Sequence, residues 1–519
     1  MTNRYGILGT FLLLFALGCQ ASATPGAACV RTSDCAAGLI CGHGRCRPAC
    51  RDASDCAPGQ QCLLDQSGVG SCSLDLERGC ASDPNNHACS CDLACEEDLC
   101  VVPCAGATDC AGGSVCRVSA TGTDTYCFVG PANDAGTRAD SSLPGCTGGM
   151  RTTLTGTVQL PNGDPVPNAI VYVPGGPVDP IGTTVSCVAS CPATALTLPL
   201  AMATTGVDGR FTMNDPPVGS AVPLVVQLGR WRLQTTTNVM NPCTNNPIVT
   251  PFTLPGTSTA NADVPHVLIA TGGADAIECV LMKMGLPMTE FTTTAGVGHV
   301  HLVAGDGATL PGATSDTTLS TTANDFQRYD LVILANRLSA STPTAPQIAN
   351  LESYTENGGR VLVMHNGYPW LQGSTHLAAA ATWMGGQAAP STAAPFPLDV
   401  TSTRVRDLSA WLTARGAESG TDAIVLQHPH ADFTTTGAST LVWIEGPPGA
   451  PVAMPETQLI SFDTPYGSAS TCGSVVYSEL DDPETTSTGT IFPAECRPGA
   501  LSPDERVLEL MILDLLRCT

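Results

Sequence analysis

Residues 345–368 read APQIANLESYTENGGRVLVMHNGY, and this stretch decides the fold class of the second half of the chain. Its first part has the composition of a helix that ends at Gly358 and Gly359. The apolar run at 361–364 then predicts a short buried strand, and residues 365–367 predict a tight turn after it. A helix followed directly by a buried strand is typical of a parallel sheet with crossover helices.

The same alternation occurs on both sides of this stretch. PHVLIATGG (265–273) and FQRYDLVILAN (326–336) are apolar strands, and residues 274–286 place their apolar side chains on one helical face. A closing helix begins at Ser502, which can cap it, with Pro503 in the first helical position. Residues 261–519 are therefore predicted to form an α/β domain with a flavodoxin-like parallel sheet.

The helix, the two glycines, the strand and the turn resemble the class-I glutamine-amidotransferase-like fold, including its ThuA-like branch. In that family the turn reads G-x-C-x-G, with the nucleophilic cysteine in the middle, whereas His365 occupies that position here. A glutaminase needs an activated thiolate, so we expect no such activity. His365 is a weak catalytic candidate at the carboxyl end of a strand, and the alternative, which we prefer, is a packed structural histidine.

Two further histidine pairs have the spacing H-x-H, at 299–301 and 428–430. Residues i and i+2 share one face of a strand, so each pair could chelate a metal ion. We interpret both pairs as ordinary strand or loop histidines, and we predict no metal site and no cofactor. The acidic segment LDDPE (480–484) is interpreted as a solvated loop, and neither an H-E-x-x-H motif nor a carboxylate cluster is recognised near these histidine pairs.

Residues 148–260 have a different pattern. TTLTGTVQLPNGDPVPNAIVYVPG (152–175) alternates polar and apolar residues around a turn at 161–164, which predicts a strand, a turn and a second strand. Another turn at 207–209 is followed by predicted strands at 210–213 and 223–229.

This pattern resembles the carboxypeptidase regulatory-like domain, a small prealbumin-like β-sandwich. The matching positions are Gly156, Val158, Asn162, Gly163, Pro165, Val166, Ala169, Val171, Val173, Thr205, Gly209, Phe211, Pro217 and Gly219. The resemblance implies a module without metal ligands that either spaces other domains or binds carbohydrate or peptide. Cys187 and Cys191 interrupt it, and we predict a local disulfide between them, with a redox-active pair as the alternative.

Residues 29–127 form a cysteine-rich region, followed by a linker at 128–147. There are 18 cysteines between positions 29 and 146, and the pattern C-x5-C-x5-C recurs. This density predicts disulfide-stapled small modules, because the region has too few large apolar residues for a core. Zinc binding is the weaker alternative. The predicted disulfide cysteines of the first repeats are Cys29, Cys35, Cys41, Cys46, Cys50, Cys56, Cys62 and Cys72. The domain cysteines Cys279, Cys472, Cys496 and Cys518 are expected to form disulfides as well.

The first 18 residues contain one arginine and then about a dozen apolar residues, which is typical of a signal peptide. The run ends at Ala16-Leu17-Gly18-Cys19, which resembles the bacterial lipobox. The resemblance implies lipidation of Cys19, with residues 19–28 as a tether, and Gln20 implies the outer membrane. The alternative is an ordinary signal peptide with a chance cysteine.

The formal net charge of −24 over 519 residues argues against nucleic-acid binding, which requires clustered basic residues. The layout resembles a set of cysteine-rich lipoproteins from myxobacteria that is not defined by an activity. We therefore expect an outer-membrane lipoprotein, facing the periplasm or the cell surface, that binds or scaffolds a carbohydrate or protein partner without catalysis. The alternative is an extracytoplasmic hydrolase that acts on sugar or peptide around His365.

Overall fold

The computed structural model describes residues 151–517 except 176–177, 179, 188–198, 320–324, 389–394, 428, 447–456 and 482–488, together with short segments between 35 and 128. By its internal contacts the chain divides into two compact units, residues 1–145 and 146–519. Cys19, Cys29, Cys146, Cys191 and Cys518 lie outside the described residues.

The first unit consists of short antiparallel strand pairs. Its strands are β1 (Leu39–Gly42), β2 (Arg45–Pro48), β3 (Cys62–Leu64), β4 (Gly70–Cys72), β5 (Ala94–Glu96), β6 (Leu99–Pro103), β7 (Val115–Val118) and β8 (Thr125–Phe128). Strand β1 pairs with β2 and β3 with β4, while β5, β6, β8 and β7 form a four-stranded sheet.

Disulfides hold this first unit together, as predicted. The structure links Cys35 to Cys46, Cys50 to Cys62 and Cys56 to Cys72, and Cys41 is also disulfide-bonded. Cys50, Cys62 and Cys72 are buried against one another and form a small core of their own. Cross-links between sulfur atoms thus replace the large apolar side chains that this region lacks.

The second unit begins with two sheets. Their strands are β9 (Thr153–Gln159), β10 (Ile170–Val173), β11 (Ala201–Thr204), β12 (Arg210–Asn214), β13 (Gly219–Leu228), β14 (Trp231–Val239), β15 (Asn245–Pro247), β16 (Phe252–Thr253) and β17 (Ala262–Asp263). One sheet has the order β11-β10-β13-β14-β17, and the other has the order β12-β9-β15 with β16 also paired to β9. Apolar residues of both sheets, such as Val158, Val171 and Phe211, share one core.

The predicted turns occur in this region. Asn162 Oδ1 accepts a hydrogen bond from the Asp164 backbone N–H at 2.9 Å, and Gly163 has a φ of +94°. Gly209 has a φ of +71°, and a Cβ at that position would lie 2.4 Å from the Val158 carbonyl oxygen. Only glycine fits the second turn without moving strand β9.

The remaining strands form a large sheet and two small strand pairs. They are β18 (Val267–Ala270), β19 (Phe291–Thr292), β20 (Val300–Val303), β21 (Leu331–Leu334), β22 (Arg360–Met364), β23 (Ala381–Ala388), β24 (Phe396–Pro397), β25 (Ala423–Ile424), β26 (His430–Thr436), β27 (Leu441–Ile444), β28 (Leu459–Thr464) and β29 (Gly473–Ser478). The large sheet has the order β19-β20-β18-β21-β22-β29-β28-β27, and it is parallel from β19 to β29. Counted along the chain, the parallel strands β20-β18-β21-β22-β29 follow the flavodoxin-like order 2-1-3-4-5.

Five helices complete the unit: α1 (Ile277–Lys283), α2 (Ala345–Glu356), α3 (Pro369–Gln372), α4 (Thr403–Arg415) and α5 (Pro503–Leu516). Side chains alternate along each strand, so Val267 and Ile269 face the core that contains α1, α4 and α5, while Leu268 faces the core that contains α2. Ser502 caps α5 in a capping box with Glu505, as its sequence predicts. Within the part of the chain that the structure describes, none of the helices combines the length and apolar character needed to cross a lipid bilayer.

The two-sheet part and the large sheet are joined inside this unit by buried polar contacts. Asp164, in the first turn, forms ion pairs with Arg415 of α4 and Arg506 of α5. Arg230 pairs with Asp330 at 2.8 Å, and both side chains are buried. Asp164 therefore joins its turn to helices α4 and α5, and Arg230 joins the two-sheet part to the residue that precedes strand β21.

A disulfide also joins the two parts, and it corrects the predicted local link between Cys187 and Cys191. Cys187 pairs with Cys472, 285 positions further along the chain, with their Cα atoms 5.2 Å apart. The reason is local packing: the Val185 backbone N–H donates to the Gln327 carbonyl, which lays the insert along the α/β part. A second long-range disulfide, Cys279–Cys496, ties helix α1 to the loop before α5.

Candidate functional site

Polar side chains from four separate segments meet beyond the carboxyl ends of the central parallel strands. Asn336 lies just after β21, His365 directly after β22, and Glu479 directly after β29. The fourth segment is β26, a strand outside the large sheet, which brings His430 and Asp432 over the same edge. This edge is where open α/β sheets place their functional groups.

His365 is held between two buried carboxylates. Its Nδ1 atom lies 2.7 Å from Asp432 Oδ2 and 3.1 Å from Glu479 Oε2. The residue is 6% exposed, and Asp432 and Glu479 are fully buried. The three ligand atoms lie within 4.8 Å of one another, an arrangement that could hold a metal ion.

Other groups orient the two carboxylates. The Tyr477 hydroxyl lies 2.5 Å from Asp432 Oδ2 and 2.9 Å from the His365 carbonyl oxygen, so its single O–H proton is shared between these two acceptors. The Asp432 backbone N–H donates to Glu479 Oε1 at 2.7 Å, which leaves Oε2 directed at the histidine. Each of the two carboxylates is therefore oriented by a hydrogen bond in addition to its contact with His365.

The net effect of burial, hydrogen bonds and neighbouring charges is to raise the pKa values of His365, Glu479 and Tyr477. Burial lowers the pKa of His365, but the hydrogen bonds and charges of Asp432 and Glu479 outweigh it and raise that pKa to about 10. Burial raises the pKa of Glu479 above its usual range, as does the nearby charge of Asp432. Burial also raises the pKa of Tyr477 well above its ordinary value. The arrangement thus favours an imidazolium and a neutral phenol at neutral pH.

A second histidine–carboxylate pair lies against the first. The ring of His430 stacks on that of His365 with centroids 3.8 Å apart, and His430 Nε2 lies 2.7 Å from Asp481 Oδ2. Asn336 Nδ2 donates to Asp481 Oδ1 at 2.5 Å, and its backbone N–H donates to Asp275 Oδ2 at 2.9 Å. About a quarter of the His430 side chain is exposed, so the buried network reaches solvent through this residue.

Glycine-containing loops close the neighbouring crevice between β18 and β21. A Cβ on Gly272 would lie 1.9 Å from the Asn336 carbonyl oxygen, and one on Gly307 would lie 2.0 Å from the Gly272 carbonyl oxygen. The loops that contain Gly272, Gly307 and Asn336 therefore pack backbone against backbone. In nucleotide-binding proteins with this strand order, the same crevice holds a phosphate group. The polar cluster around His365 is the chemically distinctive part of this edge.

The side-chain contacts of His365 come from distant segments rather than from its neighbour in the chain. His430 stacks on its ring, whereas the adjacent Asn366 donates to the carbonyl oxygen of Arg337. The expectation that no carboxylate cluster lies near the H-x-H pairs is wrong for His430, because its ring stacks on His365, which contacts both Asp432 and Glu479. Asp481, predicted to lie in a solvated loop, is buried, because His430 and Asn336 both bind it.

A local signal for the missed residues exists. Tyr477, Glu479 and Asp481 follow one another at every second position along and beyond a buried strand, so they share one face. His430 and Asp432 have the same spacing on β26. The face of β29 and the face of β26 meet at His365 because distant strands come together in the fold. The spacing of residues along the chain does not reveal that contact.

The other H-x-H pairs have different positions. His299 and His301 lie at the opposite, amino-terminal edge of the sheet, where both rings lie near that of His266. His299 Nδ1 pairs with Glu290 at 2.6 Å, and His301 Nδ1 lies 2.8 Å from the Tyr329 hydroxyl. The Nδ1 atoms of this pair thus contact separate partners. His428 lies outside the described residues, so its pair is represented by His430 alone.

No protein-family model matches the sequence, and a search of curated proteins also finds no match. Among solved structures, a putative ThuA-like protein from Bacteroides uniformis aligns with 50% of this chain and 94% of its own, at 12% identity and a TM-score of 0.28. A putative ThuA-like protein from Parabacteroides merdae aligns with 43% of this chain and 82% of its own, at 12% identity and a TM-score of 0.26. The N-terminal domain of mmIFT52 aligns with 48% and 97%, at 9% identity and a TM-score of 0.29. ThuA-like proteins are thus among the structural neighbours, and at these values the likeness says nothing about chemistry.

Proposed function

We propose that this protein is a membrane-anchored extracytoplasmic lipoprotein that binds or scaffolds a carbohydrate or protein partner and has no catalytic activity of its own. One observation carries the non-catalytic part of the proposal. His365, at the position of the amidotransferase nucleophile, is buried between Asp432 and Glu479, which raise its pKa to about 10. An imidazole that stays protonated at neutral pH can neither attack a substrate nor accept a proton from one.

The disulfides support the extracytoplasmic part. Cross-links occur in both units, including two that join segments more than 200 positions apart. Such bonds form and persist in oxidising compartments. Lipidation at Cys19 would then hold the protein on a membrane.

Anchoring is tested by expression of the full chain in a diderm bacterium, beside Cys19→Ser. We expect the unaltered protein to partition with the outer membrane and to incorporate labelled palmitate, and the variant to lose both properties. Cys518→Ser is the matched control, since it removes a cysteine at the other end of the chain. Equal membrane recovery of wild type and Cys19→Ser would overturn the anchoring proposal.

Binding without catalysis is tested with purified full-length protein. Titration calorimetry against cell-surface polysaccharide and peptidoglycan fragments should detect binding, and the same mixtures should show no release of reducing ends or amino groups. Binding accompanied by steady product release would contradict the non-catalytic role.

A hydrolase remains the second candidate, and one observation favours it. Burial raises the pKa of Glu479, so this side chain can carry a proton near neutral pH, as the general acid of a glycosidase does. The test is turnover of aryl glycosides and peptide amides by wild type and Glu479→Gln. Turnover that the variant abolishes, with its fold intact by circular dichroism, would support the hydrolase instead of the binding protein.

A further inference from the structure

The cluster of His365, Asp432 and Glu479 has the composition of a metal site rather than of a simple ion pair. Two carboxylate oxygens face one imidazole nitrogen, so three groups that can ligate a metal ion converge on one point. All three side chains are nearly or fully buried, and two carboxylates in such a place repel each other unless protons or cations compensate their charges. A divalent cation bound beside a neutral imidazole neutralises both carboxylates.

The spacing of the three atoms fits such an ion after a small adjustment. Bonds of about 2.0–2.1 Å in a tetrahedral site place ligand atoms about 3.3 Å apart. Nδ1 of His365 now lies 2.7 Å from Asp432 Oδ2 and 3.1 Å from Glu479 Oε2. An ion at the centre thus requires the Asp432 oxygen to move about 0.6 Å, and the Glu479 oxygen about 0.2 Å, away from the ring nitrogen.

The surroundings supply the outer contacts that metal ligands need. The Tyr477 hydroxyl donates to Asp432 Oδ2, and the Asp432 backbone N–H donates to Glu479 Oε1. Such contacts orient ligating carboxylates and strengthen metal binding. They leave Glu479 Oε2 and the ring nitrogen directed at the same point.

We propose that His365 Nδ1, Asp432 Oδ2 and Glu479 Oε2 bind one divalent transition-metal ion, with Zn²⁺ as the best match. One nitrogen and two oxygen ligands suit zinc, which accepts three protein ligands and keeps a fourth position open. Calcium requires six to eight oxygen ligands, and magnesium prefers an octahedral shell of oxygens, so both fit this donor set less well. The proposal goes beyond the binding role above. In the zinc-bound protein His365 is a neutral ligand, so the argument from its protonated ring applies to the metal-free cluster.

A second group offers a matched control. Glu352, Glu356 and His376 also bring one imidazole nitrogen and two carboxylates together, but more than half of the His376 side chain is exposed. Among the residues that the structure describes, the same donor set thus occurs once in the core and once at the surface. A variant at the surface group reveals any zinc that binds there adventitiously.

The test uses the full chain, stripped with a chelator and dialysed, and Zn²⁺ alone as the probe. We expect one Zn²⁺ per chain by mass spectrometry of the metal, with calorimetry that shows weaker binding of Mg²⁺ and Ca²⁺. Glu479→Gln, which keeps the shape and the acceptor for Asp432 N–H, should weaken Zn²⁺ binding by at least about tenfold. His376→Gln should leave the tight site unchanged.

Three results would overturn the proposal: no zinc on the reconstituted wild type, undiminished binding by Glu479→Gln, or loss of the site in His376→Gln alone. If Glu479→Gln fails to fold, Tyr477→Phe replaces it, because it keeps all three ligands and removes one outer contact. We expect that variant to bind Zn²⁺ about tenfold more weakly, and unchanged affinity would count against the site. The X-ray absorption spectrum of the wild-type zinc complex should show nitrogen and oxygen ligands, and sulfur ligands would place the ion at the cysteines instead. Failure of zinc binding would leave the membrane-anchoring and partner-binding tests unaffected, so the two proposals are separately falsifiable.

Discussion

The imidazole rings of His365 and His430 stack with centroids 3.8 Å apart and planes inclined by 17°, although each ring binds its own carboxylates. His365 follows a central parallel strand, while His430 begins a strand outside the large sheet. The stack therefore connects a buried ion-pair cluster to the protein surface. The stack also links the residues at the carboxyl ends of the parallel strands to His430, which lies 65 positions after His365 in the chain.

Removal of the His365 imidazole should destabilise the second unit strongly. His365→Gln leaves Asp432 and Glu479 buried without the cation that faces them, and loss of one partner from such a group costs about 3–5 kcal/mol. Urea unfolding monitored by tryptophan fluorescence measures this loss. The control is His376→Gln, whose exposed ring also faces two glutamates and whose loss should leave stability nearly unchanged, because solvent screens those charges.

Similar unfolding free energies for the two histidine variants would mean that the buried cluster is not ion-paired as the structure has it. A large loss in His376→Gln alone would place the important pair at the surface of α2 instead.

Glutaminase activity should be absent from the wild-type protein. The turn after β22, whose sequence resembles the nucleophile turn of glutamine amidotransferases, carries His365 in place of cysteine, and an imidazole has no sulfur with which to form a thioester. Ammonia release from glutamine should equal the rate without enzyme. Turnover that disappears in His365→Gln would contradict this.

The disulfide between Cys187 and Cys472 should be found by mass spectrometry of a non-reduced digest, with no peptide that links Cys187 to Cys191. The double variant Cys187→Ser with Cys472→Ser should lower the free energy of unfolding by about 2–5 kcal/mol, because the bond closes a loop of 285 positions in the unfolded chain. Cys191→Ser, which leaves this bond intact, serves as the control. A Cys187–Cys191 peptide would overturn the observed pairing.

Acidification should weaken the second unit through His266. Burial lowers the pKa of this histidine to about 4, and the charges around it act in the same direction. The groups that face it are His299, His301, Arg230, Arg328 and Asp330, and Glu290 pairs with His299. Since the folded pKa lies below the unfolded value of 6.5, the folded state binds fewer protons, and stability is lost as the pH falls from 6.5 towards 4.

At pH 5, protonation linked to His266 should have lowered the free energy of unfolding by about 1 kcal/mol relative to neutral pH, once the partial exposure of the ring is allowed for. Asp330 acts in the opposite direction, because burial raises its pKa to about 6 and stability falls as the pH rises towards that value. His266→Gln isolates the histidine: its unfolding free energy should fall less between pH 7 and pH 5 than that of wild type. An equal or larger fall in the variant would assign the acid sensitivity to other groups.

Local sequence determined much of the architecture. The apolar runs at 267–270, 331–334 and 360–364, the glycines after α2 and the Ser502 capping box are short-range signals, and each produces the predicted element. The turns at 161–164 and 207–209 follow in the same way, because glycine at positive φ is needed within a few residues. The density of cysteines likewise predicts disulfides, since the first unit has few other means of forming a core.

The site itself was decided by the tertiary structure. His365 was recognisable from the turn after its strand, but the identity of its partners depends on which strands become neighbours. Glu479 reaches it because β29 pairs with β22 in parallel, 114 positions apart, and Asp432 reaches it because β26 folds over the edge. Cys187 and Cys472 meet for the same reason. The spacing of residues along a strand determines which side chains share a face. The packing of strands and inserts determines which faces meet, and this packing depends on the free energy of the whole fold rather than on any short segment.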